Sequence, residues 1–247
     1  MKLPKEIFGQ KVDGAYKKYL VRTKNQKPKP VEQETPITPA TNIANPESYL
    51  ILQGRTHGSY SYPDLIVSME KYHHNKNWDD AHKALHAGDA YMLTIRQFVD
   101  FINLLKTGKA FNGKGKQADK ATLDKILDEI LAVKSPWRAE WLDAKFSDLG
   151  ITYHVLDNKN IKPVTEPLED CLMEDKTPGI DLDSWLNNAT SQGLPAKKTK
   201  TGSIYYWYPI KDQVAGFWSD SNWAYLVCDW YPDFSNSVLG VRVAREK

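Results

Sequence analysis

The chain has 247 residues, 41% of them apolar, and a formal net charge of +2. That length and composition suffice to bury a core in one large domain or two small ones, and the near-balanced charge gives no general pull toward nucleic acid or membrane. The opening MKLPKEIFGQKVDG lacks the apolar run of a signal peptide and no 18-residue apolar stretch follows, so the expectation is no membrane insertion and a cytoplasmic site of synthesis.

Residues 1–46 read as a basic arm and a Pro-rich linker. Nine Lys or Arg fall in the first 30 residues against Glu6 and Asp13, which reads as a solvated arm. IFGQKVDGAYKKYLV suggests one short strand or hairpin element, and NQKPKPVEQETPITPATNIANPESY is too rich in Pro, Thr and Asn for a regular element. A domain at 47–247 follows, opening with a strand at Tyr49–Leu52 that ends in Gly54.

Helices come next. Asn77 caps WDDAHKALHA, which Gly88 stops; Thr94 and Gln97 form a capping box for IRQFVDFINLLK, which Gly108 closes. FNGKGKQ reads as an exposed turn, and LDKILDEILAV at 123–133 repeats apolar residues at helical spacing. Ser135-Pro136 reads as the start of another short helix with Pro at its first position, and DLDSWLNNATSQ as a fifth, ending at Gly193-Leu194-Pro195. The pattern then turns to strands: SIYYWY, AYLVCDW and VLGVRVA are β-branched and aromatic runs. Helices in the middle and antiparallel strands at the end predict an α+β fold.

Candidate chemistry is sparse. His82 and His86 lie four apart on one helix face, with His73 and His74 upstream, yet HKALH lacks the Glu of a zinc-protease helix and no third ligand stands at a sensible spacing. The expectation is a solvated helix face and no metal or other cofactor. Asp79, Asp80, Glu129, Glu140 and Glu169 read as capping or surface carboxylates. GKAFNGKGK lacks the spacing of a phosphate loop. Cys171 and Cys228, the only cysteines, are expected as two free thiols, Cys228 packed inside a strand.

The C-terminal segment is compositionally distinct. Eleven aromatic residues lie between Tyr205 and Phe234. Alternation in AYLVCDW puts Ala224, Leu226, Cys228 and Trp230 on a core face and Tyr225, Val227 and Asp229 on a displayed one. Tyr with Ser, Asp and Asn on a firm framework is the vocabulary of an adaptable binding surface.

The residues Val214-Ala215-Gly216-Phe217-Trp218, then Ala224, Cys228 and Pro232, then Gly240-Val241-Arg242-Val243-Ala244 carry a resemblance. They resemble the closing pattern of C-type-lectin-fold domains of the formylglycine-generating-enzyme type. The nearest likeness is to the variable proteins of diversity-generating retroelements, a group that includes the phage major tropism determinant. MLTIRQFVDFI and SPWRAEWLDA are similar to helix entries of that fold, so the resemblance spans residues 49–247.

The resemblance implies a C-type lectin-like fold, antiparallel strands at the C-terminus with helices packed against them, and a variable region at about 203–245. In such systems mutated AAY codons become NNY, which never encode Lys, Glu, Gln, Met or Trp. Those first four types make up 50 of the 247 residues, so a window of 32 should hold about six; residues 214–245 hold none. Trp218, Trp223 and Trp230 would then be fixed scaffold positions, turned inward. The implied function is a non-enzymatic binder of a protein or cell-surface ligand, for receptor or host attachment. Its contact residues would be Tyr205, Tyr208, Ser219, Asp220, Ser221, Asn222, Tyr225, Asp229, Tyr231, Asp233, Phe234, Ser235 and Asn236. The alternative is a formylglycine-generating-type enzyme acting on a protein, for which the chain offers only Cys228 near the expected region. The acidic loops and paired disulfides of calcium-dependent lectins are not evident.

Overall fold

Side-chain caps set the helix starts. In a computed structural model of the chain, which describes residues 6–7, 10–11, 44–157 and 160–247, Asn77 accepts a hydrogen bond from the Asp80 amide at 2.8 Å and opens α1 (Trp78–His86). Thr94 and Gln97 form both halves of a capping box that opens α2 (Ile95–Thr107), and Gly108 closes it at φ 66°. Asp119 caps α3 (Lys120–Leu131) and Asp181 caps α4 (Leu182–Asn188). All four helices were expected, α3 from its apolar spacing at 123–133 and not from its cap, and α4 is shorter than its sequence pattern suggests. Most of the basic arm and linker lies outside the described residues; within it β1 (Glu6–Ile7) pairs with β2 (Gln10–Lys11), as a hairpin would.

The strands are more numerous than expected. They are β3 (Tyr49–Leu52), β4 (Arg55–His57), β5 (Tyr60–Tyr62), β6 (Leu65–Tyr72), β7 (Arg138–Ser147), β8 (Gly150–Asp157), β9 (Asn160–Glu166), β10 (Lys176–Ile180), β11 (Ile204–Trp207), β12 (Val214–Ser219), β13 (Ala224–Trp230) and β14 (Leu239–Glu246). Ten form one sheet in the order β10-β11-β13-β12-β7-β14-β6-β3, with β8 and β9 branching from β7. The class is α+β, but strands are interleaved with helices throughout. The C-terminal strands are not all antiparallel: β11 runs parallel to β13, and β14 parallel to β7.

Ser135-Pro136 does not start a helix. The peptide bond between them is cis, and the following RAEWLDAKFS is β7, a central strand hydrogen-bonded to β12, β14 and β8. The Arg138 guanidinium turns back to the end of α3, donating to the carbonyls of Glu129, Ala132, Lys134 and Pro136. The Glu129 and Ala132 carbonyls lie where α3 ends and lack intrahelical partners, and those of Lys134 and Pro136 belong to the loop that follows, so the arginine gathers this segment around itself.

The sheet has two loaded faces. One packs against α2, α3 and α4 through Phe98, Phe101, Leu127, Trp185, Leu142, Ala144, Tyr206, Phe217, Leu226 and Cys228. The other carries α1 over β14 and β7, through Trp78, Ala81 and Leu85 against Trp141, Leu239 and Val241. Trp78 donates to the Leu142 carbonyl at 3.0 Å and Trp141 to that of Lys76 at 3.1 Å, which fixes α1 on the sheet. The β4–β5 hairpin is tied to α2 at buried Asp100, which accepts from Tyr62 at 2.6 Å and Arg96 at 2.8 Å and lies 2.8 Å from a His57 ring nitrogen.

Glu140 is not on the surface. It is 3% exposed and pairs at 3.1 Å with Arg242, itself 1% exposed, whose guanidinium also donates to the Ser68 and Met69 carbonyls. The pair joins β7 to β14 where only two register pairs, Leu239↔Ala139 and Gly240↔Glu140, connect them. A buried pair that loses one partner leaves an uncompensated charge. Glu140→Ala is therefore expected to lower unfolding free energy by about 3–5 kcal/mol, read as a fall in the urea midpoint; a change below about 1 kcal/mol would show that Arg242 finds other compensation.

Candidate functional site

The clearest concavity among the described residues lies on the second face of the sheet, beyond the reach of α1. It measures about 750 Å³. Trp207 on β11, Trp218 on β12, and Val227, Asp229 and Trp230 on β13 form its walls. Ser135 and Trp137 from the loop before β7, Asp220 and Ser221 from the β12–β13 turn, and Phe234 complete the rim. Mostly aromatic walls with a few convergent polar groups are the usual make-up of a ligand pocket.

A β-bulge builds this site. Val227 stands opposite Gly216 but Trp230 opposite Val214, so β13 spends three steps where β12 spends two. The extra residue reverses the alternation after Cys228. Ala224, Leu226 and Cys228 face the core as expected, while Trp230 swings to the side of Val227 and Asp229. The inward tryptophans are thus corrected: Trp218, Trp223 and Trp230 are all half-buried, and two of them line the cavity. Trp230 lies over the bare backbone of Gly216, where a Cβ would come within 2.6 Å of its ring.

The rings form a continuous band. Trp223 stacks on Tyr205 at 4.4 Å; Tyr205 meets Tyr225 edge-on at 5.5 Å; Tyr225 stacks on Trp218 at 4.0 Å and 8°. Trp218 meets Trp137 edge-on at 5.9 Å and Trp230 at 6.4 Å, and Trp230 continues to Phe234 at 5.5 Å and down to Trp141 at 4.7 Å. Such contacts add to area burial and fix ring orientation.

Of the residues expected to touch a ligand, Asp220, Ser221, Asp229 and Phe234 line the cavity. Tyr205 sits beside it in the aromatic band, Asn222 lies in the turn, and Tyr231, Asp233 and Ser235 are exposed on the loop after β13. Asn236 is half-buried and holds that loop, its side chain accepting from the Val238 amide at 3.1 Å. Three positions are corrected. Ser219 is fully buried, accepting from Arg138 at 2.8 Å and donating to the Ile130 carbonyl at 3.1 Å. Tyr225 is 9% exposed because Trp218 covers its face. Tyr208 packs against the helix-side core, away from the cavity. The lining residues missed were Trp137, Trp207, Trp218, Trp230 and Ser135; the aromatic excess was the available signal, but it was assigned to the interior.

Backbone support at the rim is local. The Asp220 carboxylate accepts from the amides of Asn222 at 2.6 Å and Trp223 at 2.9 Å, and the Asp220 amide donates to the Trp223 carbonyl at 2.9 Å. The Ser221 and Asn222 side chains have no part in closing that turn. Burial, followed by the Asp175 carboxylate, pushes the Asp229 carboxyl above its ordinary range, against a pull downward from its own backbone amide.

A second cluster lies under α1. His82 is buried, which corrects the solvated helix face, and His86 and His154 of β8 stand against it, with ring centroids 4.3–5.3 Å apart. Fully buried Asp143 accepts from the His154 amide at 2.7 Å and lies 3.0 Å from its Nδ1 and 3.3 Å from Nε2 of His82. Burial alone would raise the Asp143 carboxyl, but His82 and His154 outweigh it and hold it at about 2.

Both cysteines are free and buried, as expected. Burial and then Asp170 push the Cys171 thiol up to about 11, and burial pushes Cys228 up as well. No helix among the described residues is long and apolar enough to cross a membrane. Neither a family model, a curated protein nor a solved structure matches the chain.

Two outcomes follow from the cavity. Gly216→Ala should displace Trp230 and cost about 1–3 kcal/mol, with a red-shifted tryptophan emission; an unchanged spectrum would mean the ring does not rest on Gly216. Because the folded-state pKa of Asp229 is raised, its contribution to stability is whole below the unfolded carboxylate range and is lost as pH rises through the folded value. Asp229→Asn should therefore raise the urea midpoint at pH 7 and leave it unchanged near pH 3; a lower midpoint at pH 7 would reverse the assignment.

Proposed function

We propose that this chain is a non-enzymatic binding protein of the type used by diversity-generating retroelements, displaying an exchangeable surface on a C-type lectin-like scaffold. The observation that carries the reading is the aromatic cavity. It lies on interior strands, and the lysine-, glutamate-, glutamine- and methionine-free segment 214–245 contributes Trp218, Asp220, Ser221, Val227, Asp229, Trp230 and Phe234 to it. Strands β12 and β13 are hydrogen-bonded on both sides, so the backbone under the cavity does not rely on the displayed side chains for its shape. Function would then reside in what those side chains present.

The ligand is a protein or a cell-surface group. The cavity, at about 750 Å³, readily admits a protruding side chain. Aromatic walls with the carboxylates of Asp220 and Asp229 favour one that is apolar along its stem and carries a hydrogen-bond donor or a positive charge at its end. Trp218 and Trp230 are rigid anchors in this reading, and Ser221, Tyr231, Asp233 and Ser235 the adaptable rim.

An enzyme of the formylglycine-generating type has less support. Such chemistry calls for an accessible thiolate or metal-binding cysteine pair, whereas both thiols here lie in the core, on the opposite side of β13 from the cavity, with raised pKa values.

The test is genetic and physical together. The neighbouring DNA is expected to hold a reverse transcriptase and a near-copy of the 3′ end differing only at adenines; its absence removes the diversification proposal. Substituting Ser221, Asp233 or Ser235 by Tyr, His or Asp should change stability by no more than about 0.5 kcal/mol, whereas Ser219→Tyr should cost several times that. Equal sensitivity at all four positions would count against an exchangeable rim.

A further inference from the structure

The histidines under α1 have buried nitrogens with no hydrogen bond. His82 is 95% buried; its Nε2 lies 3.3 Å from the Asp143 carboxylate, but its Nδ1 has no hydrogen-bond partner, nor does Nε2 of His86. Leaving a buried polar atom unsatisfied is costly, so such atoms call for an explanation. One is at hand: a nitrogen from each of His82, His86 and His154 lies within 4.8 Å of the other two. We propose that His82, His86 and His154 form a binding site for a divalent transition-metal ion of the zinc class, with Asp143 as its outer carboxylate.

The geometry suits the chemistry. His82 and His86 are four apart on α1, so both rings project from one side of the helix, and β8 delivers His154 against them. Tetrahedral ligands at about 2.0–2.1 Å from zinc stand roughly 3.4 Å apart, so small ring rotations from the observed spacing close the set. Asp143 meets the back of His154 at Nδ1, leaving Nε2 for the ion; a carboxylate behind a ligating imidazole fixes its tautomer and raises its basicity. Neutral imidazoles select zinc, copper or nickel over calcium or magnesium. His86 and His154 are half-buried, the His154 side chain being 15% exposed, so the cluster lies at the edge of the core and not at its centre.

Its consequence would be a clamp. α1 rests on β14 and β7, and an ion bridging α1 to β8 would tie it to a third strand. The site is independent of the aromatic cavity, so neither proposal depends on the other.

The experiment is a titration of the metal-free, full-length chain with Zn²⁺ by calorimetry and with Co²⁺ by visible absorption. One ion per chain is expected, with a tetrahedral cobalt spectrum, and X-ray absorption at the zinc edge should report three imidazole ligands. His86→Gln and His154→Gln should each weaken binding at least 100-fold, and Asp143→Asn by about 10–100-fold. His73→Gln combined with His74→Gln should leave it unchanged. Zinc should raise the melting temperature of the unaltered chain and not of His86→Gln, whose circular dichroism should match. No binding by the unaltered chain, fewer than two imidazole ligands at the edge, or undiminished affinity in His86→Gln and His154→Gln would overturn the proposal.

Discussion

Strand β7 is packed on both faces, and its alternation decides what can be built on each side of the molecule. Glu140, Leu142, Ala144 and Phe146 turn toward the helix layer, while Ala139, Trp141 and Asp143 turn away from it. On that second side, Trp141 lies against Trp230 at the base of the aromatic cavity, and two residues on Asp143 reaches His82 and His154. Neighbouring outward positions of one strand thus support the cavity and the histidine cluster. A one-residue slip would exchange the two sets of side chains and lose both.

Ordinary antiparallel ladders to β12 and β8 hold its register, but its junction with β14 is short. Only Leu239↔Ala139 and Gly240↔Glu140 connect β7 to β14, and the Glu140–Arg242 pair sits at that short junction. Close packing adds a second constraint, because a Cβ on Gly240 would approach the Tyr72 carbonyl oxygen to 2.9 Å. The fit of β14 between β6 and β7 therefore depends on an absent side chain and a compensated charge, two features that tolerate little substitution.

Local signals were legible and nonlocal ones were not. Asn77, Thr94 with Gln97, and Asp181 announce helices because a cap acts within one turn. The strands LIVSMEKY and RAEWLDAKFS mix apolar and charged residues because Arg138, Glu140 and Asp143 are buried against partners far along the chain. Without those partners in view, the pattern does not read as a central strand, and Ser135-Pro136 offered a helix start in its place. In the candidate site, the aromatic excess and the polar rim residues Asp220 and Ser221 were visible, but the bulge that turns Trp230 was not, since it is a property of pairing with β12. His154 was missed as a companion of His82 for the same reason: β8 and α1 meet only in the folded chain.

The cavity walls include no lysine, and neither does any position from 214 to 245. Amine-directed reagents consequently find no lysine side chain in the cavity wall or in that segment. Biotin or a solid support attached through lysines is therefore bonded to residues other than those that form the aromatic pocket.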